Sequence, residues 1–356
     1  MNEVTPQAGR VASILIVRLS AIGDVLFATP LIAALRRTYP QARIAWLVQS
    51  EYRELLAAHP DLDLVIPCPI RRWRRDWRRG QLRQVLREIG ALRRLLRRQR
   101  FDLALDLQGL LKSGALTWLS GARRRIGLGS REGSGLLMTR VLAPRPESAR
   151  IGSEYLFLAA ALGLDVDDFG MAMHYGSDAA AAAGRMLDAH GLGDGFIAAC
   201  PFTTRPQKHW LAERWAGLAV RVRDEHGLPV ALLGGPADRA AGEKMATAAG
   251  TAAVNLAGST SLSQAAALIA RSRAVVGVDT GLSHMGIALR RPTLLLFGAT
   301  CPYTDTTRAD ARVLYHARAC APCRRRPTCD GRFDCMRDIG TEEVLAALRQ
   351  LPGLRT

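Results

Sequence analysis

The stretch Val275-Val276-Gly277-Val278-Asp279-Thr280-Gly281-Leu282-Ser283-His284 decides the fold of this chain. An apolar strand runs straight into a polar Asp-Thr-Gly-Leu-Ser-His turn, and residues 285–289 continue as a helix. A buried strand that delivers the chain to a helix N-terminus presents unpaired backbone N–H groups, here with hydroxyls beside them, and so cradles an anion. Such cradles lie outside the carboxyl ends of strands in open α/β sheets. The stretch points to a doubly wound sheet and a phosphate-bearing ligand. Alone it does not separate a transferase from a kinase or a dehydrogenase.

Working outward, the same alternation recurs on both sides. Strand-like runs at 14–17, 44–48, 62–66 and 103–107 alternate with helical periodicity at 25–37, 52–58 and 81–100. The pattern resets after the alanine-rich segment 177–190. Strands are then predicted at 196–200, 230–233, 274–278 and 293–297, and helices at 211–226, 239–248 and 261–271. Apolar runs alternating with helices imply parallel sheets covered on both faces. The fold class is α/β, with two doubly wound, Rossmann-like domains facing a cleft. The expected division is 1–176, 177–335 and a closing helical segment 336–356 that packs back on the N-terminal domain.

The composition narrows the partners. No stretch of the 356 residues reaches the roughly 18–20 apolar positions of a membrane span. Residues 1–10 are polar and lack an apolar signal region, which predicts a cytoplasmic location. The formal net charge is +17, carried mostly by arginine. Such an excess suits phosphate, an anionic membrane surface or nucleic acid, and equally an arginine-inflated composition at exposed positions. No nucleic-acid-binding motif accompanies it, so no nucleic-acid partner is expected.

The loops after the strands carry the chemistry. After 14–17 come Arg18-Leu19-Ser20-Ala21-Ile22-Gly23-Asp24. Gly23 permits a tight turn near a ligand, and Asp24 at a helix start is either a general base for an acceptor hydroxyl or an N-cap. After 196–200 come Thr203, Thr204, Arg205 and Lys208, two hydroxyls and two cations ahead of a helix, which suit a diphosphate or a capped turn. Gly234-Gly235-Pro236-Ala237-Asp238 ends a further strand with an acid placed to hold ribose hydroxyls. Three donor-like loops in the second half against one isolated acid in the first suggest a nucleotide-linked donor on the C-terminal domain and an acceptor on the N-terminal one.

Five colinear motifs carry a resemblance. They are Ser20-Ala21-Ile22-Gly23-Asp24-Val25-Leu26, Ile70-Arg71-Arg72-Trp73-Arg74-Arg75-Asp76-Trp77, Asp106-Leu107-Gln108-Gly109-Leu110-Leu111-Lys112-Ser113, Thr203-Thr204-Arg205 with Lys208-His209-Trp210, and Val278-Asp279-Thr280-Gly281-Leu282-Ser283-His284. In this order, spanning nearly the whole chain, they resemble glycosyltransferase family 9, the bacterial heptosyltransferases, and most of all its heptosyltransferase I branch. The resemblance implies a GT-B fold and inverting transfer of heptose from ADP-heptose to the Kdo of Kdo2-lipid A, on the cytoplasmic surface of the inner membrane and without a catalytic cofactor. It implies Asp24 as base and Lys208 as stabiliser of the departing ADP. Thr203, Thr204, Lys208, Asp238, Asp279, Thr280, Gly281 and His284 would hold the donor. Gly23, Arg71, Arg72, Arg74, Arg75 and Lys112 would hold the acceptor. Heptosyltransferase II, a transferase acting on a protein or another core sugar, and more distantly a GT-B sugar-nucleotide epimerase are the alternatives.

Three further features each admit two readings. The run 71–75 is either an acceptor surface for carboxylates and phosphates, with Trp73 and Trp77 reaching a membrane interface or a sugar, or a solvated basic loop. In the helix 81–100 the leucines and Val85 and Ile89 form one side, expected to contact the chain's own sheet, and the arginines the other, an exposed basic face that can also lie on anionic lipid. Cys320, Cys323, Cys329 and Cys335 are spaced closely enough for a structural all-cysteine zinc or iron site, or stand as four reduced thiols. Family relatives that modify proteins carry a comparable iron-holding cluster.

Overall fold

The computed structural model describes residues 11–144, 149–300, 302–323 and 326–354. The chain divides into two units; unit 1 ends at Met171, and unit 2 runs from Ala172 and also takes Ala149–Ile151. That short segment bridges to Asp305 of unit 2 through Ile151 N–H to Asp305 O (2.9 Å) and Asp305 N–H to Ala149 O (3.0 Å).

Unit 1 runs β1 (Ser13–Val17), α1 (Ile22–Ala28), α2 (Pro30–Thr38), β2 (Arg43–Gln49), β3 (Leu64–Cys68), α3 (Ile70–Arg78), α4 (Leu82–Arg98), β4 (Leu103–Asp106), α5 (Leu111–Leu119), β5 (Arg124–Leu128), β6 (Arg140–Leu142) and α6 (Ser153–Ala161). Its six parallel strands are ordered β3-β2-β1-β4-β5-β6. The helix expected over 25–37 is two helices, because Pro30 has no N–H to continue the first; it opens α2 instead.

Unit 2 runs α7 (Ser177–Ala189), β7 (Ile197–Cys200), α8 (Ala212–His226), β8 (Val230–Leu232), α9 (Arg239–Ala249), β9 (Ala253–Asn255), α10 (Leu262–Arg271), β10 (Ala274–Val278), α11 (Gly281–Ala288), β11 (Thr293–Phe297), β12 (Ala311–Tyr315), α12 (Asp334–Arg337) and α13 (Thr341–Arg349). Its strands, again all parallel, are ordered β12-β11-β10-β7-β8-β9. Both orders are the 3-2-1-4-5-6 pattern of a doubly wound sheet, whose ligand crevice opens where the order reverses. Those switch points fall between β1 and β4, and between β7 and β10.

The last helix packs on α8 of its own unit. Val344, Leu345, Leu348 and Leu351 are fully buried in one core with Trp210, Trp215 and Val222, and Trp210 Nε1 donates to Ile339 O at 2.8 Å. Arg349 and Glu225 add an ion pair at 2.5 Å. Unit 1 has its own core, in which Leu15, Val17 and Leu47 of the sheet meet Val85, Leu92 and Leu96 of α4. No helix among the described residues is long and apolar enough to cross a membrane.

Candidate functional site

In unit 2 the loops after β7 and β10 meet across the switch point. Lys208 Nζ lies 2.5 Å from Asp279 Oδ2, and His284 Nε2 lies 3.1 Å from Asp279 Oδ1, so both carboxylate oxygens are taken. All three side chains are largely buried. Burial, the largest influence on Asp279, would raise its carboxyl, but His284 and Lys208 outweigh it and hold it well below the usual carboxylate range. Gly277 lets the turn close, because a Cβ there would run into Ser283 Oγ and Cys200 Cβ. Ser283 Oγ in turn donates to Val278 O at 2.7 Å.

This pair of loops frames the N-terminus of α11, whose first-turn N–H groups have no intrahelical acceptor. The hydroxyls of Thr203, Thr204 and Thr280 hold no protein partner among the described residues. The helix N-terminus beside Lys208 is that of α11. The segment after Thr204 makes only a single 3-10 turn, Pro206–Lys208, before α8 begins at Ala212. Asp238 stands at the end of β8's loop with Oδ2 accepting Gly235 N–H at 2.8 Å. Gly234 there is pressed against Phe202, leaving no room for a side chain.

Sequence reasoning missed Tyr303. It follows β11, and its hydroxyl sits 2.8 Å from His284 Nδ1 and 3.4 Å from Nε2. Phe297 packs edge-on against it at 5.0 Å. Burial first, and then the charge of Asp279, push its phenol well above the ordinary value, so it remains a neutral hydroxyl. The chain Tyr303–His284–Asp279–Lys208 is thus continuous. No periodicity marks Tyr303, and only the adjacency of β10 and β11 brings it in.

In unit 1 the loop after β1 meets the loop after β4. Asp24 is not the N-cap residue, which is Ala21, but the third residue of α1, and its Oδ2 accepts the Ala21 N–H at 3.1 Å in a capping box. The same oxygen pairs with Arg18 at 2.8 Å. Oδ1 has no partner among the described residues, and the side chain is 45% exposed. Arg18, also missed from sequence, is largely buried and donates to Leu107 O at 2.7 Å. Burial works against its charge, but Tyr155, Asp24 and Glu154 outweigh it and keep the guanidinium ionised.

The Asp106–Ser113 motif is scaffolding for this meeting point. Asp106 accepts N–H bonds from Gln108 (3.0 Å) and Gly109 (3.1 Å) and the Ser113 hydroxyl (3.1 Å). Gln108 Oε1 accepts the Leu19 N–H at 3.0 Å, which locks the β1 and β4 loops together. Lys112 rides exposed on the first turn of α5.

The arginine run is a helix, α3, and its members differ. Arg72 pairs with Glu88 (2.5 Å), Arg71 donates to Tyr52 (3.0 Å), Arg75 pairs with the buried Asp76 (3.2 Å), and Arg74 is exposed with no protein partner among the described residues. Trp73, expected at a surface, is buried, with Nε1 donating to Glu88 at 2.7 Å; the exposed indole is Trp77.

The structure does not assemble the expected metal site. Among the described residues no three His, Cys, Asp or Glu side chains are grouped to hold an ion. Cys335 lies on α12 within the unit 2 core and Cys329 is buried, whereas Cys320 faces solvent. Burial, then neighbouring sulfurs, push the Cys323 and Cys335 thiols up.

Two doubly wound units, each with a polar constellation at its switch point, define a GT-B glycosyltransferase. A family model described as Glycosyltransferase family 9 (heptosyltransferase) matches residues 89–332, and the chain belongs to this family. It is similar to lipopolysaccharide heptosyltransferase 1 of Pseudomonas aeruginosa, 35% identical over 331 residues that cover 89% of this chain and 87% of that one. Among solved structures it is similar to Escherichia coli ADP-heptose lps heptosyltransferase II, with a TM-score of 0.76, 28% identity and coverage of 95% and 97%. It is also similar to E. coli heptosyltransferase WaaC with ADP-2-deoxy-2-fluoro heptose, with a TM-score of 0.73, 26% identity and coverage of 95% and 99%.

Proposed function

We propose that this protein transfers heptose from ADP-heptose to the Kdo of Kdo2-lipid A, the first heptose addition of the lipopolysaccharide core, at the cytoplasmic face of the inner membrane. The observation that carries the reading is the half-open carboxylate of Asp24. One oxygen is fixed by Arg18 and the Ala21 N–H, and the other is left to accept a proton.

In this mechanism Asp24 Oδ1 takes the proton of the acceptor hydroxyl as that oxygen bonds to the anomeric carbon of the heptose. The bond from that carbon to the diphosphate oxygen breaks in the same displacement, so the configuration inverts, and ADP leaves with the electron pair. Lys208, the α11 N–H groups and the hydroxyls of Thr203, Thr204 and Thr280 stabilise the charge that develops on the diphosphate. Gly281 lets the diphosphate approach the backbone, and Asp238 holds the ribose hydroxyls. Asp279 and His284 keep Lys208 in place. No step runs through a metal. On the acceptor side Arg74 and Lys112 meet the anionic groups directly, beside Gly23, and Arg71, Arg72 and Arg75 exchange their present partners for them.

A second reading, heptosyltransferase II, is favoured by the similarity to the E. coli enzyme of that name over 95% of this chain. One assay decides between them. With ADP-heptose, product should form on Kdo2-lipid A and not on an acceptor that already bears one heptose. The reverse pattern selects the second reading, and transfer to neither overturns both.

A further inference from the structure

Residues 70–100 hold thirteen arginines against two acids, a net eleven of the chain's seventeen positive charges. The excess is therefore local, which an arginine-rich composition spread over the whole surface does not explain. Both acids are already engaged: Asp76 is buried and Glu88 is held by Arg72 and Trp73. Along α4, Arg83, Arg87, Arg93, Arg94, Arg97 and Arg98 are exposed and have no acidic partner among the described residues.

The apolar side of α4 is split in a way the sequence pattern did not show. Val85, Leu92 and Leu96 enter the core of unit 1. Leu82 and Leu86, one turn apart on a neighbouring face, are 40% and 60% exposed, and Trp77 at the end of α3 is 54% exposed. All the exposed large hydrophobic side chains among the described residues belong to unit 1, between 77 and 141. A soluble face does not need leucines and an indole set among unpaired arginines.

We propose that the α3–α4 hairpin docks on an anionic lipid bilayer, with Trp77, Leu82 and Leu86 entering the interface and the α4 arginines pairing with lipid phosphates. Helix α4 has 17 residues and too many arginines to span, so it lies in the plane of the surface. Arginine stems reach along apolar material while their guanidinium groups stay at phosphate level. A nucleic acid would satisfy the arginines but leave the leucines and Trp77 wet. A second copy of the chain would set one strongly positive hairpin against another. A bilayer satisfies both groups. The inference deepens the lipid-anchored acceptor proposed above and rests on it for which membrane is met, but lipid binding can be measured without any transfer.

The test is co-sedimentation of the full chain with vesicles of phosphatidylcholine alone and of equal parts phosphatidylcholine and phosphatidylglycerol. Binding should be strong only to the anionic vesicles and should weaken with salt. Replacing Arg83, Arg87 and Arg94 with Gln should weaken partitioning by about fivefold per residue. W77S and L86S should each weaken it by about tenfold. All these side chains are exposed, so the melting temperature and transfer to a water-soluble acceptor saccharide should hold. Equal binding to both vesicle types, or wild-type binding by a W77S/L82S/L86S chain, overturns the proposal. So does self-association that this triple variant abolishes while lipid binding stays. Normal vesicle binding with no transfer to any acceptor would instead count against the proposed activity alone.

Discussion

Asp24 of unit 1 and Asp279 of unit 2 each stand where a fully buried strand at the switch point of its sheet hands over to a helix, Asp24 in the first turn of α1 and Asp279 just ahead of α11. Their surroundings differ in what decides chemistry. Asp279 is buried and spends both oxygens, one on Lys208 and one on His284. Asp24 is nearly half exposed and spends one oxygen, on Arg18 and the Ala21 N–H. A carboxylate saturated by cations cannot accept a further proton without giving up a partner, so Asp279 serves to hold other groups. A carboxylate held by one oxygen is oriented and still basic at the other. The strand-end aspartate is the same device in both units, and the number of cations around it sets its use.

The largest expected effect comes from Asp24→Asn, which keeps the shape and removes the proposed base. Transfer should fall by about a thousandfold, the middle of the range for general-base catalysis. ADP affinity, measured by calorimetry, should stay within a factor of two or so, because the proposed donor residues lie in unit 2. Transfer near the wild-type rate would end the contrast, since the open oxygen would then have no chemical duty.

Asp279→Asn probes the other side of the contrast through stability. It strands the Lys208 ammonium in a buried setting, which costs about 3 kcal/mol by denaturant unfolding. The pH dependence has a definite sign. The folded-state pKa of Asp279 lies below its unfolded value, so its contribution is complete above about pH 4 and is lost as pH falls further. The wild type should therefore lose stability on acidification below pH ~4 more steeply than the Asn variant. Parallel acid limbs would show that the pairs with Lys208 and His284 add nothing to the fold.

Much of this contrast was legible in the sequence, and the missing parts have physical causes. Central strands such as β1 and β10 are buried on both faces and read as continuous apolar runs. The edge and near-edge strands β5, β6, β9 and β12 went unread because β6 and β9 have only three residues and arginines interrupt the apolar runs of β5 and β12, as in Arg124-Arg125-Ile126-Gly127-Leu128. Asp24 and Asp279 stood out because each follows an apolar strand and opens a helix. Arg18 did not, being one of 49 basic residues with nothing local to mark its burial. Trp73 was misread for the reverse reason: four flanking arginines suggest a surface, yet on α3 it shares the inward face with Asp76. Contacts between loops from neighbouring strands leave no trace in local spacing, and Tyr303 is of that kind.

Tyr303→Phe gives the smallest and most discriminating effect. The ring and its packing on Phe297 remain, and the hydroxyl beside the His284 ring nitrogens is lost. A buried hydrogen bond of this kind is worth about 1 kcal/mol, so ADP affinity should fall by about fivefold with a comparable loss of stability. The effect has to travel through the His284 ring, whose far nitrogen meets Asp279. In an Asp279→Asn background the loss of the hydroxyl should therefore cost less ADP affinity than in the wild type, a coupling that a double-mutant cycle reads directly. Strict additivity would mean that Tyr303 only fills space beside β11. It would also reduce the donor-side aspartate to a local pair with Lys208, leaving it less different from Asp24 with its single cation.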